Sequence, residues 1–380
     1  MEPQNTSFPI GYTFDDVLLI PGHADFSRSE IHLKTKLTKK ITLDIPFVSS
    51  PMDTVTEAKL AIALASLGGI GIIHRNLSVA DQARMVKEVR SQNLLVGAAI
   101  GATGFEDRAR ALVEVGVSVV IVDSAHGNTK SVLDAISYLK NTYKDLQVIG
   151  GNVATFDGAE AVIKAGADGV RVGMGPGAIC TTRIISGMGV PQITAILEAV
   201  RAGRKHGVPI IADGGIKYSG DIVKALAAGA SAIMMGSFFA SAQEAPGEIV
   251  ELTPEQVPQR FQSIFKSKKE TYTFKAYRGM GSVGAMQKGA AVKSEDEYHG
   301  KSYKDRVLVA EGVEGLVPVK GTVKELMDQA LGGIKSGMYY VGAKTIEELA
   351  EKGKFIQITQ ASLSESHPHD VLITNPGENY

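Results

Sequence analysis

The chain has 380 residues, of which 44% are hydrophobic and 21% charged, proportions typical of a folded globular protein. Its 40 Lys and Arg against 41 Asp and Glu leave a net charge of −1, so no global field draws it to nucleic acid or anionic lipid. The single cysteine excludes an intramolecular disulfide. No apolar run reaches the roughly 20 residues of a membrane span. Residues 1–10 lack the pattern of a secretory signal, so we expect a cytoplasmic protein.

Eight short apolar runs recur from residue 45 onward, each rich in β-branched side chains, as buried parallel strands require. They cover 45–48, 69–73, 94–100, 117–122, 146–149, 169–172, 208–212 and 232–235. Helical spacing lies between them, at 57–67, 79–90, 157–165, 194–206 and 220–228. This alternation predicts a (β/α)8 barrel, a TIM barrel of mixed α/β class. A doubly wound open sheet is the alternative, but the near-equal units and the lack of an early dinucleotide-binding fingerprint favour the barrel.

The pattern changes after the eighth predicted strand. Residues 251–270 and 285–304 are polar, and we interpret them as excursions from one catalytic domain that spans 1–380. Between them, the glycines of 277–282 suit a loop that wraps a ligand closely or moves as a lid. A final amphipathic helix is predicted over 322–331, ending before Gly332 and Gly333.

Barrel enzymes carry their active sites at the carboxyl ends of the strands. The residues that follow the predicted strands are therefore the candidates for chemistry: 49–53, 123–127, 151–152, 173–183, 213–215 and 236–237. The glycines after the seventh and eighth strands suit a phosphate, because Gly lets backbone N–H groups reach an anion. The alternative is that they are ordinary turn residues.

Cys180 is the only candidate for a sulfur nucleophile. A lone cysteine is usually a small buried hydrophobic residue, but this one lies in a glycine-rich loop and precedes two hydroxyls and Arg183, a setting that stabilises a thiolate. Asp213 is either a turn residue or an acceptor for a ribose diol. Asp123 either merely precedes a helix or, with His126, binds a second ribose, that of a cofactor. The two histidines of 367–370 are weak evidence for a transition metal, and a solvated tail is the alternative.

Residues 175–183, Gly-Pro-Gly-Ala-Ile-Cys-Thr-Thr-Arg, together with 123–127, 213–216 and 277–282, resemble the IMP dehydrogenase/GMP reductase family. The resemblance covers nearly the whole chain, from 12–16 to 366–370. It implies a barrel enzyme, usually a homotetramer, whose cysteine attacks the C2 carbon of a purine nucleotide. In the dehydrogenase, hydride passes from inosine monophosphate (IMP) to NAD, and water hydrolyses the covalent thioimidate to xanthosine monophosphate (XMP). The reductase converts GMP to IMP with NADPH and releases ammonia.

The resemblance also implies roles for individual residues. Cys180 is the nucleophile, and the further catalytic positions are Thr182, Glu311 and Tyr298. The IMP-binding positions are Met52, Asp213, Gly215, Gly236, Ser237, Tyr277, Gly279, Met280, Gly281 and Glu311. The NAD-binding positions are Asp123, Ser124, His126, Asn152, Gly173 and Gly175. Potassium is expected on carbonyls of Gly175, Gly177 and Cys180, completed by the tail residues Glu365, Ser366 and His367 of a neighbouring subunit.

The sequence departs from the family pattern in three places. Ala178 stands where the family usually has Ser, so one phosphate-binding hydroxyl is missing. The regulatory CBS pair is absent near 91–93, where Ser-Gln-Asn closes the gap. In the flap region, 272–315, the Arg-Tyr pair that activates water in the dehydrogenase aligns with Glu297 and Tyr298.

Three functions are therefore compared. The motif at 277–282, the long flap and the tail at 366–370 favour IMP dehydrogenase. The missing regulatory domains and flap Arg are features of GMP reductase, which is the first alternative. A catalytically weakened nucleotide-binding homologue is the second. A Schiff-base aldolase barrel is disfavoured because Arg171 stands where that chemistry needs Lys at the end of the sixth strand.

Overall fold

Eight parallel strands close into a barrel in the computed structural model, which describes residues 8–262, 270–292, 309–371 and 373. Each strand pairs with the next along the chain, and the eighth pairs with the first. This confirms the predicted (β/α)8 barrel. The barrel strands are Phe47–Ser49, Ile70–Ile73, Val96–Ile100, Val119–Asp123, Gln147–Val153, Gly169–Val172, Ile210–Asp213 and Ala232–Met235.

An outer ring of helices covers the barrel. The last of them packs against both the seventh and the first, so the ring closes as the barrel does. In the described part of the chain, no helix is long and apolar enough to cross a membrane. The helices of the ring are Ala58–Ser66, Val79–Arg90, Glu106–Glu114, Lys130–Thr142, Phe156–Lys164, Gln192–His206, Ser219–Ala227 and Val323–Val341.

Apolar side chains fill the inside of the barrel and the space between strands and helices. Val48, Ile121 and Ile211 are fully buried in the inner layer, as TIM-barrel packing requires. A hairpin of Thr35–Lys36 with Thr42–Leu43 adds apolar side chains to that layer. The hairpin contacts the starts of the sixth and eighth strands, so it closes the amino-terminal end of the barrel. The carboxyl end is left for the site.

Smaller elements extend from the barrel. Ile249–Leu252, Tyr272–Arg278 and Glu314–Pro318 form a three-stranded antiparallel sheet. A second antiparallel pair joins Val17–Leu19 to Phe355–Gln357. Within the described ranges, the remaining α-helices are Thr182–Ser186, Ser237–Ala240, Gln259–Gln262, Val283–Ala291, Ile346–Lys352 and Gln360–Glu365, and the 3-10 helices are Phe14–Asp16 and Arg28–Glu30.

The fifth strand is longer than predicted. It continues through two glycines to Val153, so that Asn152 lies inside it rather than after it. These glycines lie within the strand, where their missing side chains leave space for neighbouring groups. A Cβ atom on Gly150 would lie 2.5 Å from Val162 Cγ1, a side chain of the covering helix.

The predicted end of the last helix at residue 331 is wrong, because Val323–Val341 runs on through Gly332 and Gly333. These glycines mark a helix crossing. A Cβ atom on Gly333 would lie 2.5 Å from Ser219 Cβ, and one on Gly337 would lie 2.7 Å from a methyl group of Val223. Their missing side chains let the eighth helix approach the seventh closely.

This crossing makes a prediction with an adjacent control. Gly333→Ala is expected to destabilise the fold by about 1–3 kcal/mol, because the new methyl group overlaps Ser219. Gly332→Ala meets nothing within 4 Å and is expected to stabilise the helix by about 0.5–1 kcal/mol. Urea unfolding of both variants measures the difference. Equal stabilities for the two variants would contradict the close crossing.

Candidate active site

Three side chains from distant parts of the chain form a hydrogen-bonded row at the barrel rim. The Cys180 thiol lies 3.2 Å from Thr182 Oγ1 and donates to it. The Thr182 hydroxyl in turn donates to Glu311 Oε2 at 2.9 Å. All three residues are partly exposed, so a ligand can reach them. The row gives the thiol proton a path to a carboxylate.

Backbone pairing holds this row together. The loop after the sixth strand lies against 311–313, with Thr181 N donating to the Glu311 carbonyl and Val313 N donating to the Ile179 carbonyl, both at 2.9 Å. Glu311 N also donates to the carbonyl of Gly281, which ties the 277–282 turn to the same assembly. The position of Glu311 is thus set by backbone hydrogen bonds on both sides.

Two glycines make the close approach possible. Gly279 and Gly312 face each other beside the Ile179 carbonyl, and a Cβ atom on Gly279 would lie 3.2 Å from Gly312 Cα. Any larger residue would push the 277–282 turn away from the cysteine loop. The predicted IMP-binding residues Gly279 and Gly281 therefore lie in the turn that contacts Glu311.

The Arg183 guanidinium, a candidate from its sequence position to stabilise the thiolate, forms its described hydrogen bonds with backbone carbonyls. It donates to the carbonyls of Met174 at 3.3 Å and Val190 at 2.7 Å. It therefore braces the two arms of the cysteine loop, and Thr182 is the residue that contacts the sulfur.

A second group of predicted substrate residues meets beside the eighth strand. A Cβ atom on Gly236 would lie 2.7 Å from Tyr277 Oη and 3.1 Å from Met52 Sδ, so this glycine leaves room for both side chains. Tyr277 is buried, and burial followed by the charge of Asp213 raises the pKa of its hydroxyl above the ordinary value. The hydroxyl therefore stays protonated and can donate a hydrogen bond.

The carboxylates at the ends of the fourth and seventh strands share one arginine. The Arg171 guanidinium donates to Asp213 Oδ2 at 2.9 Å and to Asp123 Oδ1 at 2.6 Å. Asn152 Nδ2 also donates to Asp213 Oδ2, at 2.9 Å. Burial alone would lower the pKa of Arg171, but the two carboxylates raise it above its ordinary value, so the guanidinium remains charged.

The predicted cofactor residues converge on one side of this network. Asn152 N donates to the Ser124 carbonyl, and Gly127 N donates to the Asn152 carbonyl, which fixes the 123–127 loop against the fifth strand. His126 is exposed and lines a cavity of about 200 Å³. Gly173 allows the sixth and seventh strands to lie close together at their carboxyl ends, because a Cβ atom there would lie 2.1 Å from the Asp213 carbonyl oxygen.

Asp53 and Arg278 form an ion pair that their separate positions in the sequence do not predict. Arg278 donates to both carboxylate oxygens of Asp53, which is only 4% exposed. Asn76 contributes a further hydrogen bond to Asp53 and another to the Ala285 carbonyl. Burial alone would raise the pKa of Asp53, but the Arg278 hydrogen bonds hold it below its ordinary value. This pair fastens the 277–282 turn to the end of the first strand.

The tail residues that are predicted to complete the potassium site of a neighbouring subunit end or follow the helix Gln360–Glu365 in their own chain. Glu365 and Ser366 end the helix Gln360–Glu365, and the His367 ring lies 6.1 Å from the Tyr218 ring of the same chain. Within the described ranges, no three His, Cys, Asp or Glu side chains are placed to hold a metal ion. Tyr298 and Glu297 lie outside the described residues.

Comparisons with known proteins point to one family. A family model described as the IMP dehydrogenase/GMP reductase domain matches residues 11–369. Similar curated proteins are named inosine-5′-monophosphate dehydrogenase. The one from Halalkalibacterium halodurans is 39% identical over 497 aligned positions, covering 97% of this chain and 98% of the relative.

Two further relatives agree. The protein from Aquifex aeolicus is 39% identical and covers 97% of both chains. The protein from Cryptosporidium parvum is 42% identical over 413 positions, covering 97% of this chain and 98% of its own. The first two alignments are longer than the 380-residue chain, so those relatives contain residues that this chain lacks.

The Asp53–Arg278 pair predicts a pH-dependent stability. Because the pKa of Asp53 is lowered in the folded state, the pair stabilises the fold above the unfolded pKa of about 3.9 and loses this contribution as the pH falls through the folded pKa. Asp53→Asn is expected to cost about 1.5–3 kcal/mol at pH 7, and the cost is expected to shrink below about pH 4.

Urea unfolding between pH 7 and pH 3 measures this cost. Asp145→Asn is the control, because the Asp145 side chain is fully exposed, and no pH-dependent loss is expected. A cost for Asp53→Asn that stays constant over the whole pH range would contradict the assignment.

Proposed function

The chain belongs to the IMP dehydrogenase/GMP reductase family, and on that premise we propose that it is an NAD-dependent IMP dehydrogenase that converts IMP to XMP. The relatives described above carry the dehydrogenase name and match over nearly the full length. They do not favour the alternative of a GMP reductase. The reaction is an oxidoreduction, and its product lies on the route to guanine nucleotides.

The observation that carries the proposal is the row of Cys180, Thr182 and Glu311. A thiolate is the nucleophilic form of cysteine, and the ordinary thiol pKa of about 8.5 leaves little of it at neutral pH. The Thr182 hydroxyl accepts from the thiol and donates to the Glu311 carboxylate. The proton therefore leaves Cys180 through one hydroxyl, as the sulfur lone pair forms a bond to purine C2. This retained geometry argues against a weakened binding homologue.

The later steps take place on the intermediate that is bound to the Cys180 sulfur. When the S–C2 bond has formed, the hydrogen on C2 leaves with its electron pair as hydride, and a thioimidate remains on Cys180. Addition of water to C2 then breaks the S–C2 bond and returns the thiolate. Of the two protons that the water loses, one is taken up by purine N3, which carries hydrogen in XMP. The Glu311–Thr182 row is available to receive the other and to reprotonate the sulfur. Tyr298 belongs to this hydrolytic half of the proposal.

We assign the substrate to the residues around Asp213 and to those around Gly236. Asp213 accepts from the ribose hydroxyls, and Gly215, Gly236, Ser237 and the Tyr277 hydroxyl hold the phosphate. Met52 and the backbone of Met280 and Gly281 contact the base. The Tyr277 hydroxyl, whose pKa is raised by burial, stays protonated and is available to donate to the phosphate.

The rim also fits a nicotinamide nucleotide, which accepts hydride when it is bound. Asp123 supplies a carboxylate for a ribose, and His126 and Thr155 line the neighbouring cavity with Met174. The cavity mixes apolar and polar groups, as ligand sites generally do. We assign Ser124, Asn152, Gly173 and Gly175 to the same nucleotide.

Potassium is assigned to the carbonyls of Gly175, Gly177 and Cys180. A hard monovalent cation prefers oxygen ligands, and Gly175 keeps side chains out of this part of the loop, since a Cβ atom there would lie 2.6 Å from Arg183 Cγ. The tail residues Glu365, Ser366 and His367 of a second subunit complete the site.

The proposed assembly is a cytoplasmic homotetramer of single-domain subunits that lack the CBS pair. Ile184 and Met188, beside the cysteine loop, are 83% and 59% exposed, and such apolar surface next to a site is typical of a subunit contact. The helix Val79–Arg90 reaches the third strand through a short turn in which Asn93 has φ +59°, which leaves no inserted domain there.

The proposal is tested by incubating the protein with IMP, NAD and potassium and quantifying NADH and XMP together. Sustained production of equal amounts is expected. A burst of at most one NADH per subunit with little XMP would contradict efficient hydrolysis. Turnover of GMP with NADPH in place of IMP with NAD would identify a reductase.

The proton row is tested with two adjacent threonines. Thr182→Val removes the hydroxyl between Cys180 and Glu311, and kcat is expected to fall by about 10²–10⁴-fold. Thr181→Val is the matched control, because only its backbone contributes to the pairing with Glu311, and its kcat is expected to remain close to the wild-type value. Similar kcat values for both variants would contradict the row.

A further inference from the structure

Arg171 is a buried charge inside an otherwise apolar strand. It is 8% exposed and lies between Val170 and Val172, both fully buried. Burying a guanidinium costs several kcal/mol unless it is paired and hydrogen-bonded. Here the cost is offset by two carboxylates, Asp213 on one side and Asp123 on the other.

The two carboxylates lie at the ends of different strands and are assigned to different nucleotides. Asp213 Oδ2 accepts hydrogen bonds from both Arg171 and Asn152. Among the described residues, no hydrogen bond reaches its Oδ1, so this oxygen is available to a ribose diol. Asp123 uses Oδ1 for Arg171, and Arg75 lies 3.5 Å from its Oδ2.

We propose that Arg171 is a positioning residue that couples the substrate and cofactor sites, so that the charge state and occupancy of Asp123 set how well Asp213 binds the substrate ribose. This inference rests on the proposed function. The Arg171 guanidinium is shared by two carboxylates whose side chains are both 15% exposed. A change in the charge of one carboxylate therefore alters the ion pair between Arg171 and the other. An arginine is required because its planar fork donates in two directions at once, whereas a lysine supplies a single point charge.

The direction of the coupling follows from the charge balance. When Asn replaces Asp123, Arg171 is left with Asp213 as its only anionic partner in this pair of salt bridges. The Arg171 guanidinium then pairs more strongly with the Asp213 carboxylate. This carboxylate becomes a weaker hydrogen-bond acceptor for the ribose hydroxyls. The effect needs no cofactor, because it passes through the protein alone.

The test measures IMP affinity by calorimetry in the absence of any nicotinamide nucleotide. Asp123→Asn is expected to weaken cofactor-free IMP binding at least about fivefold, within the usual range of coupling energies. Asp123→Glu keeps the charge and is expected to restore most of the affinity. Ser124→Ala is the matched control, because the Ser124 hydroxyl contacts only the backbone of its own loop in the described structure. It is expected to raise the cofactor KM and leave cofactor-free IMP affinity unchanged.

A second pair of variants covers Arg171 itself. Arg171→Lys is expected to raise the KM values for both IMP and NAD about fivefold or more, with a smaller change in kcat. Arg108→Lys, another buried arginine that bonds Gln82 in the helix layer, is the control for loss of packing and is expected to change neither KM.

The outcomes separate the inference from the proposed function. If Asp123→Asn binds IMP as tightly as the wild type, or if Arg171→Lys raises only one KM, the coupling is wrong and the proposed function stands. If the wild-type protein binds neither IMP nor GMP, the proposed function fails and the inference fails with it. If it binds only GMP, the dehydrogenase assignment fails. The coupling is then overturned if Asp123→Asn binds GMP, whose ribose presents the same diol, as tightly as the wild type does.

Discussion

The site depends on the backbone pairing between the cysteine loop and residues 311–313. The two hydrogen bonds from Thr181 N and Val313 N join segments that lie about 130 positions apart in the chain. They hold Glu311 within reach of the Thr182 hydroxyl. Without this pairing, Cys180 would be a partly exposed thiol in a loop with no carboxylate to take its proton.

The barrel and its excursions have separate tasks in this arrangement. The barrel strands position the groups that bind nucleotides, since Asp123 and Asp213 are the last residues of their strands. The three-stranded sheet brings the 277–282 turn and Glu311 over the rim. Asp53 and Arg278 are the link between the two parts, because their ion pair joins the first strand to the turn. The barrel strands therefore supply the binding residues, and the three-stranded sheet supplies the carboxylate that serves Cys180.

Much of the fold could be predicted from the sequence because parallel strands buried on both faces leave a clear apolar signal. The predicted ends of one strand and one helix were wrong where glycine occurs. The fifth strand was predicted to end at residue 149 and the last helix at residue 331, but both elements continue, and Gly150 and Gly333 allow close packing within them. A glycine in the sequence does not reveal whether its missing side chain serves a turn or a neighbour.

The site was predictable only in part. Cys180, Thr182 and Glu311 were assigned through the family resemblance, and their hydrogen bonds required the fold. Arg171 was noted only as the wrong residue for a Schiff base, although a charge in a β-branched strand signals a buried ion pair. Asp53 and Arg278 were missed because their pairing joins positions about 225 residues apart.

A covalent bond between Cys180 and the purine is central to the proposed reaction. Acid quenching of the protein during turnover with IMP and NAD, followed by proteolysis and mass spectrometry, tests it directly. The expected result is a nucleotide adduct on the peptide that contains Cys180, absent when IMP or NAD is omitted and absent from Cys180→Ala, which is also inactive. Sustained XMP formation by Cys180→Ala, or an adduct on a different residue, would contradict the account.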